Sequence, residues 1–310
     1  HPRSVASATM TAGDAVIRVP LDGPFDVRSS IPTLGTTTDP TWSAAPGLVA
    51  FAGRTPDGPV AARVRARADH LEVEAWGAGA GWITARGPQL AAHHDDPRTV
   101  HLGHPRLDEI NRRSPGLRHA ATGLVVDGLL ARVPGQRVLA VEAARSWASL
   151  CRDLGGPAPG PLGLLLPPEH EALGHQPMHW FHERGIEVGR ARTLIGVARR
   201  ARRLAEVVDL PLPDAYRRLR SMPGLGPWTV NGVARVALGD PDAVIVGDYW
   251  IGHTVCSFFT GRARGSDEEM LDLLAPFVGQ RGRVERLIHR SGHRIQRFAA
   301  GRPTPDIRRL

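Results

Sequence analysis

The hydrophobic period changes once along this chain, and that change limits what it can fold into. From about Ala15 to Ala85 apolar residues recur at every second position. From about His119 onward they recur at helical spacing. Strands first and helices after give an α+β protein, with an N-terminal antiparallel β-sheet domain followed by an all-α core. We place a flexible tail at 1–13, the β-rich domain at 14–112, the helical domain at 113–302 and a second tail at 303–310. A length of 310 residues suits two or three packed units.

The strand pattern is clearest between Val60 and Ala75. Val60, Ala62, Val64 and Ala66 share one face, and Arg63, Arg65 and Arg67 the other. Leu71, Val73 and Ala75 then alternate with Glu72 and Glu74 after a turn at 68–70. The arginine stripe pairs more readily with those glutamates than with a ligand, leaving one wet face. The run Gly77-Ala78-Gly79-Ala80-Gly81 follows a strand but has Trp82 where a dinucleotide loop needs glycine. No helix is expected after it, so it reads as a hairpin tip.

In the second region, Val138, Val141, Ala144 and Leu150 define one buried helix face, and Leu194, Val197, Ala198, Ala201 and Leu204 define another, within a helix from Arg190 to Val208. The arginines of that second helix spread around the rest of its surface, as solvated residues do. Trp147 and Trp180 are expected in the core. His175, His179 and His182 have metal-like spacing, but no carboxylate or cysteine joins them and Pro177 interrupts the helix, so no metal site is assigned.

Charge and cysteine content narrow the function classes. Lys+Arg total 39 and none is lysine; the formal net charge is +8. Missing lysine fits a codon bias, but the excess charge points to a polyanionic partner, usually nucleic acid. The two cysteines exclude a disulfide framework, a four-cysteine zinc site and a four-cysteine iron–sulfur cluster. No apolar run is long enough to span a membrane and no signal peptide is evident, so a cytoplasmic, nucleoid-associated protein is expected. No heptad pattern appears, so a monomer is expected.

The most informative segment runs from Leu219 to Phe259. Asp214 suits the N-cap of a short helix through Leu219, which stops at Pro223. Pro223-Gly224-Leu225-Gly226 makes a tight turn, and Pro227 opens a second helix through Trp228 to Leu238. Glycines let the backbone approach a ligand, and the following helix start offers unpaired N–H groups, so the unit suits a phosphodiester. An ordinary helix–turn–helix corner explains the turn equally well. The apolar run Asp242–Gly247 then delivers Asp248 to the start of a helix carrying Ile251, Val255 and Phe259. Asp248 reads either as an N-cap or as a carboxylate poised beside a phosphate-gripping hairpin.

Met222-Pro-Gly-Leu-Gly-Pro-Trp-Thr-Val-Asn231, followed by Val246-Gly-Asp-Tyr-Trp-Ile251, resembles the hairpin and catalytic-aspartate signature of the helix-hairpin-helix DNA glycosylase superfamily, most of all its AlkA-like 3-methyladenine glycosylase II branch. Pro115-Gly116-Leu117-Arg118, Gly135-Gln136-Arg137-Val138 and Gly185 through Arg192 resemble further motifs of that branch, and the resemblance extends from Ala15 to Phe298. It implies a helix-hairpin-helix core with its hairpin at 219–238, and a monofunctional glycosylase that flips and excises a damaged base, an alkylated purine above all, from double-stranded DNA. It implies Asp248 as the catalytic residue; Trp228, Tyr249 and Trp250 around the base; and Gly224, Leu225, Gly226, Thr229, Gln136 and Arg137 on the DNA, the last two entering the gap left by the flipped base. No cofactor is implied, a monovalent cation at the hairpin being the one ion the resemblance allows. Trp228 stands where bifunctional relatives carry a lysine, and a chain without lysine has no side-chain amine for a Schiff base. Gly232 and Ser291 replace aromatic pocket residues, Pro134 replaces an apolar helix residue, and Arg137 replaces an apolar wedge. These departures leave two other readings: a glycosylase for bulky alkyl adducts, its pocket widened at Gly232, and a non-catalytic DNA-binding protein.

Overall fold

The computed structural model describes residues 13–33, 35 and 38–295; apart from Gly13, the two expected tails lie outside them, as does Phe298. Five antiparallel strands form one sheet: β1 (Ala15–Pro20), β2 (Trp42–Ala45), β3 (Leu48–Thr55), β4 (Gly58–Ala66) and β5 (His70–Trp76), in the order β1-β5-β4-β3-β2. The alternation sets the register. Val64 faces Val73 and Ala62 faces Ala75 on the buried side, against Ile83 and Leu90 of two short helices, Ala80–Ala85 and Gly87–Leu90. Arg63 pairs with Glu74 and Arg65 with Glu72 on the other side, as the sequence implies.

Two expectations for this region change. The second face is not fully wet: Ala50, Ala52 and Ala61 pack against Leu164 and Leu166, which a later segment lays across the sheet. The glycine run is not a hairpin tip, because helix Ala80–Ala85 opens there. A Cβ on Gly79 would lie 2.5 Å from the Thr55 hydroxyl and 2.7 Å from the Gly58 carbonyl, so glycine lets the turn sit directly on the β3–β4 loop.

The helices form two further cores. One packs Val125–Arg132, Ala140–Leu154 and Val188–Ala198 around Trp147, Leu150 and Leu194. The other packs Ile251–Thr260, Asp267–Leu274 and Arg281–Arg290 with Leu107 from helix Pro105–Arg112. Trp147 is buried and donates to Asp39 at 2.8 Å. Trp180 lies at the edge of its core under the Arg184 guanidinium. The expected helix from 190 to 208 breaks at 199–200, where Arg199 donates to the Gly174 carbonyl of a neighbouring element. In Ala140–Leu154 the buried face is Ala143, Ala144, Trp147 and Leu150, while Val138 precedes the helix and Val141 is exposed. His175 and His179 fall on opposite sides of a helix break at Pro177, and no metal-binding group of three side chains occurs among the described residues. Among those residues no helix is long and apolar enough to cross a membrane.

Asp95, His119 and Arg283 lock the last helix to the segment that follows the sheet. Asp95 accepts from the His119 backbone at 2.7 Å and from its ring at 3.1 Å, and it pairs with Arg283, all three being buried. Burial pushes the His119 imidazole down to about 3, against the pull of Asp95. Burial alone would raise the Asp95 carboxyl, but the His119 hydrogen bond and the Arg283 charge outweigh it and hold it low. Below pH ~6.5 the unfolded histidine takes a proton that the folded one refuses, so stability falls as pH falls, and the Asp95 contribution follows below about 3.8. We expect a loss on the order of 2 kcal/mol between pH 7 and pH 4.5 from His119. Urea midpoints at the two pH values check this, with a smaller difference in His119→Gln.

Candidate active site

The hairpin forms where the sequence places it. Its first helix spans Leu212–Arg220, starting two residues before the expected cap, so Asp214 lies in the first turn and pairs with Arg217 instead. Its second helix spans Pro227–Val233 and continues into a π-helical turn, Ala234–Leu238. Between them Leu225 is the buried anchor, and the two glycines do different work. Gly224 has φ +83°, and a Cβ there would lie 2.0 Å from the Thr193 hydroxyl. Gly226 has ordinary φ and nothing within 4 Å of its absent Cβ. We therefore expect Gly224→Ala to destabilise the fold by about 2 kcal/mol or more and Gly226→Ala by no more than about 0.5 kcal/mol, as thermal or urea unfolding would read.

A loop from the preceding helices is clamped onto this hairpin. Gln136 donates through Nε2 to the Gly224 carbonyl and to the Thr229 hydroxyl, both at 2.9 Å. Arg190, which the helical pattern leaves as a solvated residue, is buried and donates to the Pro134 carbonyl at 2.8 Å. Arg137 projects at the exposed tip with φ +58°, a left-handed conformation costing a non-glycine residue about 1–2 kcal/mol. Such strain persists only where surrounding contacts fix it, and it clusters at functional sites.

The extended run to Asp248 is held almost entirely by side chains. Asn231 of the hairpin donates to the Val244 carbonyl at 2.6 Å, and Arg235 donates to the Ala243 carbonyl at 2.7 Å. Glu285 of the last helix accepts from the Ile245 backbone at 3.1 Å and from Arg235 at 2.8 Å. Gly247, with φ +86°, turns the chain beside Trp228. Asp248 then accepts through Oδ1 from the backbone N–H of Trp250 (2.9 Å) and of Ile251 (3.1 Å), capping helix Ile251–Thr260. Its other oxygen, Oδ2, has no hydrogen-bond partner among the described residues. Asp248 is thus a helix cap with one carboxylate oxygen left over.

Trp228 lies half-buried between Gly135 and Gly247. Tyr249 is largely exposed and meets Trp250 edge-on, with ring centroids 4.7 Å apart. The residue that pattern reasoning missed is Arg132. Its guanidinium lies over the Trp228 ring, 4.5 Å from the centroid, and fills the space that Gly232 leaves, so Gly232 does not widen the site. Its Nε is sealed from solvent without a hydrogen-bond partner. Burial pushes Arg132 down to about 10, repulsion from Arg235 adding to the effect and attraction by Asp248 and Glu285 opposing it.

Beyond Ile251 a cavity of about 510 Å3 opens, lined by Arg28, Ser29, Arg235, Glu285 and Arg286 among others. Arg286 donates to the Ser29 carbonyl, and Arg290 donates to the Ser29 hydroxyl at 2.6 Å. Burial pushes Arg286 down to about 9, helped by Arg235 and Arg283. Glu285 is held low despite burial, because Arg235 and the Ile245 amide stabilise its charge. Ser291 ends the last helix by donating to the Ile288 carbonyl. No local signal marks Arg132, Arg235 or Glu285 among the other charged residues of their helices; only the missing side chain at Gly232 hints that something large must come from elsewhere.

No family model and no curated protein sequence matches the chain. Solved structures do. A 3-methyladenine DNA glycosylase from Archaeoglobus fulgidus superposes with TM-score 0.70 at 20% identity, covering 88% of this chain and 97% of that one. An 8-oxoguanine glycosylase/lyase from Clostridium acetobutylicum, in its apo form, gives 0.65 at 14% identity over 90% of this chain and 97% of that one. The overall fold is therefore shared with both.

Proposed function

We propose that this chain, which has the fold of the helix-hairpin-helix DNA glycosylases, is itself a monofunctional DNA glycosylase acting through Asp248. The observation that carries the reading is the Asp248 carboxylate. One oxygen is fixed by two backbone N–H groups and the other is uncommitted, on the residue after Gly247, which packs beside Trp228 of the hairpin. A base inside a duplex is out of reach of such a group, so it must first be flipped out. As the C1′–N bond breaks, its electron pair stays with the base and positive charge builds on the sugar. A fixed carboxylate stabilises that charge without reorganising. Water then bonds to C1′ and gives one proton to Asp248; a base that leaves as an anion takes that proton at its ring nitrogen, whereas a cationic alkylated purine leaves neutral and the proton passes to solvent. Hydrolysis needs no cofactor, and a monovalent cation at the hairpin would only help to hold phosphate.

The remaining residues take supporting roles in this reading. The open space around Gly226 admits a backbone phosphate to the N–H groups of the hairpin, where Leu225 and Thr229 hold the turn in shape. Gln136 steadies the hairpin, and the strained Arg137 tip enters the duplex where the base has left. Trp228, Tyr249 and Trp250 supply aromatic surface for the base. With no lysine in the chain, strand cleavage through a side-chain Schiff base has no amine to use. The partner is double-stranded DNA, bound by a monomer. The resemblance favours an alkylated purine as the lesion, while the bulky-adduct alternative loses the room expected at Gly232.

Duplexes carrying 7-methylguanine, hypoxanthine or uracil test the reading. Base release that yields a nick only after hot alkali is the expected result. Nicking without alkali would overturn the monofunctional assignment, and tight binding with no release from any duplex would leave a non-catalytic DNA-binding protein.

A further inference from the structure

We propose that Arg132 sets the charge of the base this site accepts, favouring neutral bases that leave as anions over alkylated purines that carry a positive charge. The inference rests on the glycosylase reading and replaces the alkylated purine that the resemblance alone favours with a neutral base.

Three observations carry it. First, a cationic purine is recognised best by an aromatic face, and the Arg132 guanidinium already covers one face of the Trp228 ring, 4.5 Å from its centroid. A cationic base on the other face would share the ring with a positive charge already there. Second, Arg132 makes no ion pair among the described residues and its buried Nε has no acceptor. A buried donor without a partner is costly, and a carbonyl or ring nitrogen of a flipped base is an acceptor of the right kind. Third, the neighbouring cavity repeats the pattern. Arg286 lines it, bonded among the described residues only to the Ser29 and Arg118 backbone carbonyls, and Glu285 is consumed by Arg235. Around Asp248 the site therefore offers guanidinium charge, in Arg132 and Arg286, that makes no ion pair among the described residues, and an uncommitted carboxylate oxygen on Asp248 itself.

That polarity matches one kind of bond breaking. When a neutral base departs, the C1′–N electron pair leaves negative charge on the base and positive charge on the sugar. Arg132 meets the first and Asp248 the second, both in a partly dehydrated site where charges act strongly. The proton that completes the base nitrogen comes from the attacking water, so Arg132 stays protonated throughout. When a cationic purine departs, it becomes neutral, and Arg132 only repels it beforehand.

Single-turnover excision, net of spontaneous loss, should be measured for hypoxanthine, uracil and 7-methylguanine duplexes with the full chain and with Arg132→Leu and Arg132→Gln. The wild type should release at least one neutral base at least tenfold faster than 7-methylguanine. Arg132→Leu should slow neutral-base release at least tenfold and shrink or invert that ratio, and Arg132→Gln should fall between. A merely structural role would slow all substrates alike. A wild-type preference for 7-methylguanine, or an unchanged ratio in both variants, would overturn this inference and leave the glycosylase reading intact. Release of no base by the wild type would remove both. Should Arg132→Leu fail to fold, the wild-type ratio and Arg132→Gln decide the matter.

Discussion

Asp248→Asn should lower excision by about 10²–10³-fold while leaving folding and DNA affinity nearly unchanged. On the proposed reading the two effects separate because the carboxylate has two jobs. Oδ1 caps the helix through the Trp250 and Ile251 amides, and an asparagine Oδ1 accepts those bonds as well. On the proposed reading the negative charge that faces a developing sugar cation is lost, and the nearby Asp267 carboxylate is engaged with the Gly247 amide. Single-turnover rates, unfolding midpoints and binding to an uncleaved duplex read the three quantities separately. Asp248→Ala supplies the contrast: it should lose the activity and about 1 kcal/mol of stability with the cap. Full activity in Asp248→Asn would remove Asp248 from the chemistry.

Glu285→Ala should cost about 3–5 kcal/mol of stability, the largest effect expected from any single change outside the apolar cores. Glu285 is 1% exposed and takes hydrogen bonds from both terminal nitrogens of Arg235 and from the Ile245 backbone. Its removal strands a buried guanidinium and frees the run that carries Asp248. Arg235→Met combined with Glu285→Leu should recover much of the loss, because an apolar pair of similar volume avoids the unpaired charge. A urea unfolding series of wild type, single and double variants checks the sign of that recovery. Excision should stay low in the double variant, since Arg235 also holds the Ala243 carbonyl.

Local chemistry made some of this legible and hid the rest. The β4–β5 register is readable because Arg63, Arg65, Glu72 and Glu74 alternate with apolar residues, so a slip of either strand by one would turn its two charges to the core face. The hairpin is readable because Pro223 and Pro227 restrict the backbone and Gly224 permits a positive φ, whatever surrounds them. The break at 199–200 is hidden, since it comes from a hydrogen bond between Arg199 and a carbonyl 25 residues earlier. Val141 reads as buried from its spacing, yet it lies near the exposed start of its helix, where no partner element covers it. Arg132 is hidden for a third reason. It looks like any of the arginines that make up the 39 basic residues, and only packing over Trp228 and Gly232 gives it a role.

The cavity wall joins Ser29 to Arg286 and Arg290, residues 257 and 261 positions apart. Synthesis runs from the N-terminus, and early domains fold first. A nascent chain halted on the ribosome before Arg281 would already carry Asp248, Arg132 and the hairpin, yet it would lack the helix that closes the chamber. On the proposed reading, an interrupted translation product would hold Asp248 without the wall formed by the last helix, so the site is completed only when the chain is nearly finished.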